Sequence, residues 1–172
     1  MALQRIETST GNNPIRFNGN IQPQANANVY LGNLTYRFAT IYGVSNQALY
    51  ADLAEMYTAD QLYGPGTVVQ FGGTQEITQA VAGTTRVAGI VSTNPAYLMN
   101  DSYTGSHVTA VALTGRVPCK VVGPVAKGDM MIAAANGHAT ACASPALGSV
   151  VGKALEDFAG ETGVIEVVAG RL

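Results

Sequence analysis

From Gly64 onward the chain alternates strand-sized apolar runs with clusters of Gly, Pro, Asn and Thr. The runs are Thr67 to Phe71, Glu76 to Val81, Thr85 to Val91, Val108 to Leu113, Arg116 to Val122, Asp129 to Ala133, His138 to Cys142, Ser149 to Leu155 and Val164 to Val168. They are rich in β-branched residues and have no helix-length segments between them, a pattern that predicts a sandwich or barrel. Asn136-Gly137 predicts a type I′ hairpin, because both central positions need positive φ. Lys127-Gly-Asp129 predicts a polar excursion before Met130 and Met131 return to the core. The strands carry almost no charge, which implies that both faces are covered by closure or by neighbouring subunits.

Upstream the pattern changes at Tyr50-Ala-Asp-Leu-Ala-Glu-Met-Tyr57. Residues 1–30 are rich in Asn and Gln, with Gly11-Asn-Asn-Pro14 and Asn18-Gly-Asn20 as turn signals. Only short apolar alternations such as Ile15-Arg-Phe17 interrupt them, too little area to offset the entropy of ordering. Such an arm orders when identical copies or a partner complete its core. Leu34, Tyr36 and Phe38 alternate with period two, and Phe38, Ile41 and Tyr42 have helical spacing, predicting a short strand or one helical turn. Leu49, Leu53 and Met56 predict a short helix within Gln47 to Asp60. The fold class is therefore mainly β: an N-terminal attachment arm or shaft over 1–49, a short helix at the junction, and a compact β-barrel or sandwich over 50–172.

Composition sharpens this picture. Of 172 residues, 47% are hydrophobic and 12% charged, with a net charge of −2. The nine basic residues are scattered, which argues against nucleic acid as a partner. A surface so poor in charge suits a homo-oligomer or lattice component better than a free enzyme. No apolar run is long enough for a membrane-spanning helix, and Met1-Ala-Leu-Gln-Arg5 has no apolar signal region, so we expect synthesis in the cytoplasm and no membrane insertion. Cys119 and Cys142 are expected as buried thiols rather than a disulfide.

Candidate chemistry is sparse. His107 and His138, the latter expected to be exposed beside the hairpin, form no triad pattern with Ser or Cys. Asp52 and Glu55 at i, i+3, and Glu156-Asp157 near Glu161, are expected as solvated surface carboxylates. We therefore assign no catalytic residue, cofactor or metal ligand. Asn94-Pro95 is a turn dipeptide, and Ser92 and Thr93 are placed to bond the local backbone. Asn94, Tyr97, Asn100, Asp101 and Tyr103 lie in a segment rich in Tyr, Asn, Ser and Thr, a candidate receptor-contact loop.

Leu31-Gly-Asn-Leu-Thr-Tyr-Arg-Phe-Ala-Thr-Ile-Tyr42 resembles the segment that closes many tailed-phage fibre and appendage shafts, with Phe38 in the place of a Trp. Tyr50-Ala-Asp-Leu-Ala-Glu55 and Arg86-Val-Ala-Gly-Ile-Val-Ser-Thr-Asn-Pro95 resemble the modules that follow such shafts, including the G2 peptidase family of self-cleaving appendage chaperones. Val117 to Val168 is similar to small β-modules of phage capsid decoration proteins. These resemblances imply a virion structural protein, foremost a short tail fibre or fibre-tip homotrimer for host attachment. Its arm, Met1 to Gln24, would dock on another virion protein, and its loop would meet a host-surface glycan or protein. A capsid decoration or cement protein and an autoproteolytic chaperone cutting near Asn100 are the alternatives.

Overall fold

A computed structural model describes residues 18–23, 30–33, 35–43 and 47–170. The chain divides into two compact units, Met1–Asn46 and Gln47–Leu172.

In the first unit the described residues form neither strand nor helix. Asn33 Oδ1 accepts from the Thr35 and Tyr36 N–H groups, both at 2.8 Å, in a local turn that Gly32 enters at φ 84°. The expected strand or helical turn over Tyr36 to Tyr42 is thus absent, because a lone segment has no ladder partner to satisfy its backbone. Tyr30, Leu31, Tyr36, Phe38, Ile41 and Tyr42 are all exposed. The Gly11 to Pro14 turn, the Ile15 to Phe17 alternation, Leu34 and most of the Met1 to Gln24 docking segment lie outside the described residues.

The second unit is nearly all β: β1 Asp52–Thr58, β2 Val68–Phe71, β3 Ile77–Gln79, β4 Val87–Val91, β5 Tyr97–Met99, β6 Val108–Val122, β7 Met130–Ala133, β8 Ala139–Ala141, β9 Val150–Ala154 and β10 Thr162–Ala169. Five of them close a barrel, in the order β6, β10, β9, β7, β8 and back to β6. Inside it lie Val117, Cys119, Val121, Met131, Ala139, Ile165 and Val167. Each large one contributes roughly 1.5–3 kcal/mol by leaving water.

The two runs Val108 to Leu113 and Arg116 to Val122 are one long strand. The first half of β6 pairs with β1 and β4, the second with β10 and β8. Gly115, at φ 105°, lies where the partners change. β2, β3 and β4 extend the sheet and enclose a second cluster, with Val69, Ile77, Val91, Val111 and Tyr63 buried.

The helix expected over Gln47 to Asp60 is instead β1, antiparallel to β6 and parallel to β5. Pairing on both edges outweighs helix propensities that differ by only tenths of a kcal/mol per residue. Asp52 and Ala54 are buried while Leu53 and Glu55 are half-buried, which is strand alternation. The Asn136-Gly137 turn forms as expected: both residues have positive φ, and the His138 N–H donates to Ala135 O at 3.3 Å. His138 itself is half-buried rather than exposed, and its Nδ1 lies 3.0 Å from Asn136 O. Met131 enters the core behind a turn closed by Asp129 Oδ2, which accepts from the Ala126 N–H at 2.8 Å.

Candidate functional site

The segment from Asn94 to Tyr103 runs along the outside of β1. Tyr97 belongs to the short strand β5, opposite Leu53, where a loop was expected. Asn100 takes a left-handed φ of 58°, and its Nδ2 donates to Met56 O at 3.4 Å. Tyr103 Oη donates to Glu76 at 2.9 Å. The same carboxylate accepts from the Thr58 N–H at 2.8 Å and the Thr58 hydroxyl at 2.9 Å, so one acid ties the segment to β1. Asn94, Tyr97, Asn100, Asp101 and Tyr103 are all exposed.

Bonds from the Thr58 backbone and hydroxyl and from Tyr103 hold Glu76 below the ordinary glutamate range, against a smaller cost of burial. Asp60 is held low by Tyr63 and Thr78 in the same way. A carboxylate lowered on folding stabilises the fold above its unfolded pKa and loses that contribution as pH falls through its folded value. As pH falls below the ordinary glutamate range the Tyr103 clamp should therefore loosen, seen as faster amide exchange over Asn100 to Gly105. In Glu76→Gln that segment should exchange faster at pH 7 and lose most of its acid dependence.

Cys119 is fully buried, and burial pushes its thiol up to about 12, so it is inert. Cys142 is likewise a free thiol. Among the described residues no group of three or more His, Cys, Asp or Glu is arranged to hold a metal ion.

The unit's unusual polar feature lies at the entry to β1. A groove of about 350 Å³ is formed by Leu49 to Asp52, by Ser92 to Asn94 after β4, by Arg116 and its neighbours on β6, and by Glu166 on β10. Asp52 is 5% exposed and Ser92 8%. Both line the groove, yet Asp52 Oδ2 and Ser92 Oγ have no hydrogen-bond partner. A buried carboxylate oxygen without a partner carries a cost of kcal/mol size, so its retention calls for an explanation.

Asp52 was expected on the surface, paired with Glu55. Instead Glu55 accepts from Tyr57 Oη at 2.7 Å, and Asp52 stands apart in the groove. Ser92 was expected to bond the local backbone, and its hydroxyl does not.

The Ala51–Asp52 peptide sits at the rim. Ala51 is exposed and Asp52 is the first buried residue of the second unit, so burial begins at this bond. A methyl group on Gly115 would overlap Ala51 O and lie 2.8 Å from Asp52 Cα. Asp52 O, in the next peptide, accepts from the Ala96 N–H at 2.8 Å, which fixes the residue that follows the bond.

No protein-family model matches the chain, and no curated protein matches it. Its fold is shared with the solved structure of the pre-mature bacteriophage phi29 gene product 12, at a TM-score of 0.58 over 80% of this chain and 14% sequence identity. The match spans 24% of that longer chain.

Proposed function

We propose that the chain is a structural component of a tailed-phage virion, foremost a short tail fibre or fibre-tip protein that acts as a homotrimer in host attachment. The carrying observation is the contrast between units: large apolar side chains of the first are exposed, while the second has its own core within a fold shared with a phage protein. Three copies would cover those side chains about a three-fold axis. The Asn94 to Tyr103 segment would then offer Tyr and Asn side chains to a glycan or protein of the host surface. Native mass spectrometry of the full chain should give a trimer that Tyr36→Ser/Phe38→Ser reduces to monomer. A wild-type monomer at micromolar concentration argues against this assembly. Hundreds of copies per virion on the head would favour the cement reading instead.

A second reading is favoured by the groove. In it the module is an intramolecular chaperone that severs itself from the arm, and the bond cut is Ala51–Asp52 rather than one near Asn100. Asp52, beside that bond, carries a buried carboxylate oxygen, Oδ2, without a partner, whereas Asn100 is exposed and engaged with Met56 O. The bacteriophage protein of the same fold is described as pre-mature, a state that precedes maturation. As general base, the Asp52 carboxylate would take a proton from water as it adds to the Ala51 carbonyl carbon. The C–N bond would break as that proton passes to the leaving nitrogen. Ala51 ends as a carboxylate and Asp52 as an ammonium carrying the remaining proton. Intact mass of the purified chain over days decides: cleavage yields 1–51 and 52–172, and an unchanged mass leaves the module as a retained knob.

A further inference from the structure

We infer that the outer face of β6 and β10 is the surface on which the module of a second copy of this chain docks, with Glu166 of one copy opposite Arg116 of the next. The inference rests on the trimer reading above and names the part of the module that takes part in it.

β10 is apolar on both sides. Ile165 and Val167 belong to the barrel core, whereas Val164 and Val168 stand on the opposite side at 59% and 41% exposure. A strand that meets water alternates apolar and polar residues, and a strand covered twice is apolar on both sides. Barrel closure covers only the inner side. On the outer side the register sets Val168 between Arg116 of β6 and Lys153 of β9, and Glu166 beside Pro118. Arg116, Pro118 and Lys153 are exposed. β10 runs between two grooves: toward β6 the one of about 350 Å³ already described, lined by Glu166 and Arg116, and toward β9 one of about 430 Å³, formed by Lys127, Gly128 and residues 152–155 and 168–170. The outer face is thus a ridge with a groove on either side.

Two observations say what covers it. Among the described residues the side chains of Arg116, Lys153 and Glu166 have no ion-pair or hydrogen-bond partner, so the face carries unpaired charge of both signs. Such a face is complementary to a shifted second copy of itself, and about a three-fold axis every contact joins two different patches of neighbouring copies. Leu49 and Tyr50, which lead from the arm into β1, are exposed and line the groove beside Glu166. Arms gathered about one axis therefore bring this face of each module toward its neighbours.

Native mass spectrometry of the full chain over a concentration series tests this on wild type, V164S/V168S, R116E, E166K and R116E/E166K. V164S/V168S should be monomeric where wild type is trimeric, with an unchanged far-ultraviolet circular dichroism spectrum, because both side chains lie outside the barrel. R116E and E166K should each raise the dissociation constant about tenfold or more, and R116E/E166K, which reverses the pair, should return it close to wild type. If wild type is a trimer and V164S/V168S or either single charge variant assembles equally well, the inference fails while assembly through the arm stands. If the reversed pair is as weak as the single variants, Glu166 does not oppose Arg116 and the inference likewise fails. If wild type is a monomer at micromolar concentration, both readings fall.

Discussion

Asp52→Asn is expected to leave the full chain whole under conditions in which the wild-type chain separates into residues 1–51 and 52–172. Asparagine keeps the size and polarity of the side chain but cannot take a proton from water. General-base removal of this kind lowers rates by about 10²–10⁴-fold, enough to turn hours into weeks. The substitution should not unfold the module. Asp52 Oδ2 makes no bond that asparagine would lose, and an amide is cheaper to bury than an unpartnered carboxylate. Asp52→Asn should therefore melt at or slightly above the wild-type temperature. A stable, uncut variant beside a cut wild type assigns the carboxylate to the reaction. Equal cutting of both would remove Asp52 from it, and no cutting in either would leave the fibre reading with a retained knob.

Such a cut would separate two parts that differ in self-sufficiency. The buried core residues among the described positions all fall between Asp52 and Ala169, so the module after the bond keeps its core. β1 begins at Asp52 and stays paired with β5 and β6 after the bond breaks. The described residues of the arm keep exposed aromatic and aliphatic side chains. A folded module that templates the association of three arms and then leaves is physically consistent with that division, as is a knob that stays.

The barrel was legible in sequence because its signals are local. β-branched runs, Gly and Pro punctuation and the Asn136-Gly137 turn each mark an element without reference to the rest of the chain. β1 was not legible, since Ala, Leu, Glu and Met favour helix locally and the strand exists only through β5 and β6. β5 was missed for the same reason: Tyr97 to Met99 is a strand because Leu53 to Glu55 lies beside it. The fusion of Val108 to Leu113 with Arg116 to Val122 hides behind Gly115, which looks like a break and acts as a change of partners. The groove was the least legible part. Asp52, Ser92 and Arg116 are far apart in sequence, and only pairing in β1, β4 and β6 brings them to one cavity. The burial that gives Asp52 and Ser92 their meaning is a tertiary property that residue type contradicts.

Gly115→Ala should lower the melting temperature of the chain by roughly 10 °C, corresponding to about 3 kcal/mol. Two costs combine at this position. A φ of 105° disfavours any residue with a Cβ. The added methyl would also overlap Ala51 O and lie 2.8 Å from Asp52 Cα, both backbone atoms that cannot rotate away. Relief requires β1 to lift from β6 at its first residue, Asp52, which pairs with Gly115 itself. The same shift would move the Ala51–Asp52 peptide away from the groove. Thermal stability and self-cleavage should thus fall together in Gly115→Ala, whereas a core truncation far from the groove, Met131→Ala, should cost about 2–5 kcal/mol and leave the cleavage rate of the folded chain unchanged. Circular dichroism melts beside intact-mass time courses at a temperature where all three chains are folded would show it. Should Gly115→Ala melt like wild type, the tight packing of β6 against the entry of β1 would be wrong, and with it the fixed placement of the bond.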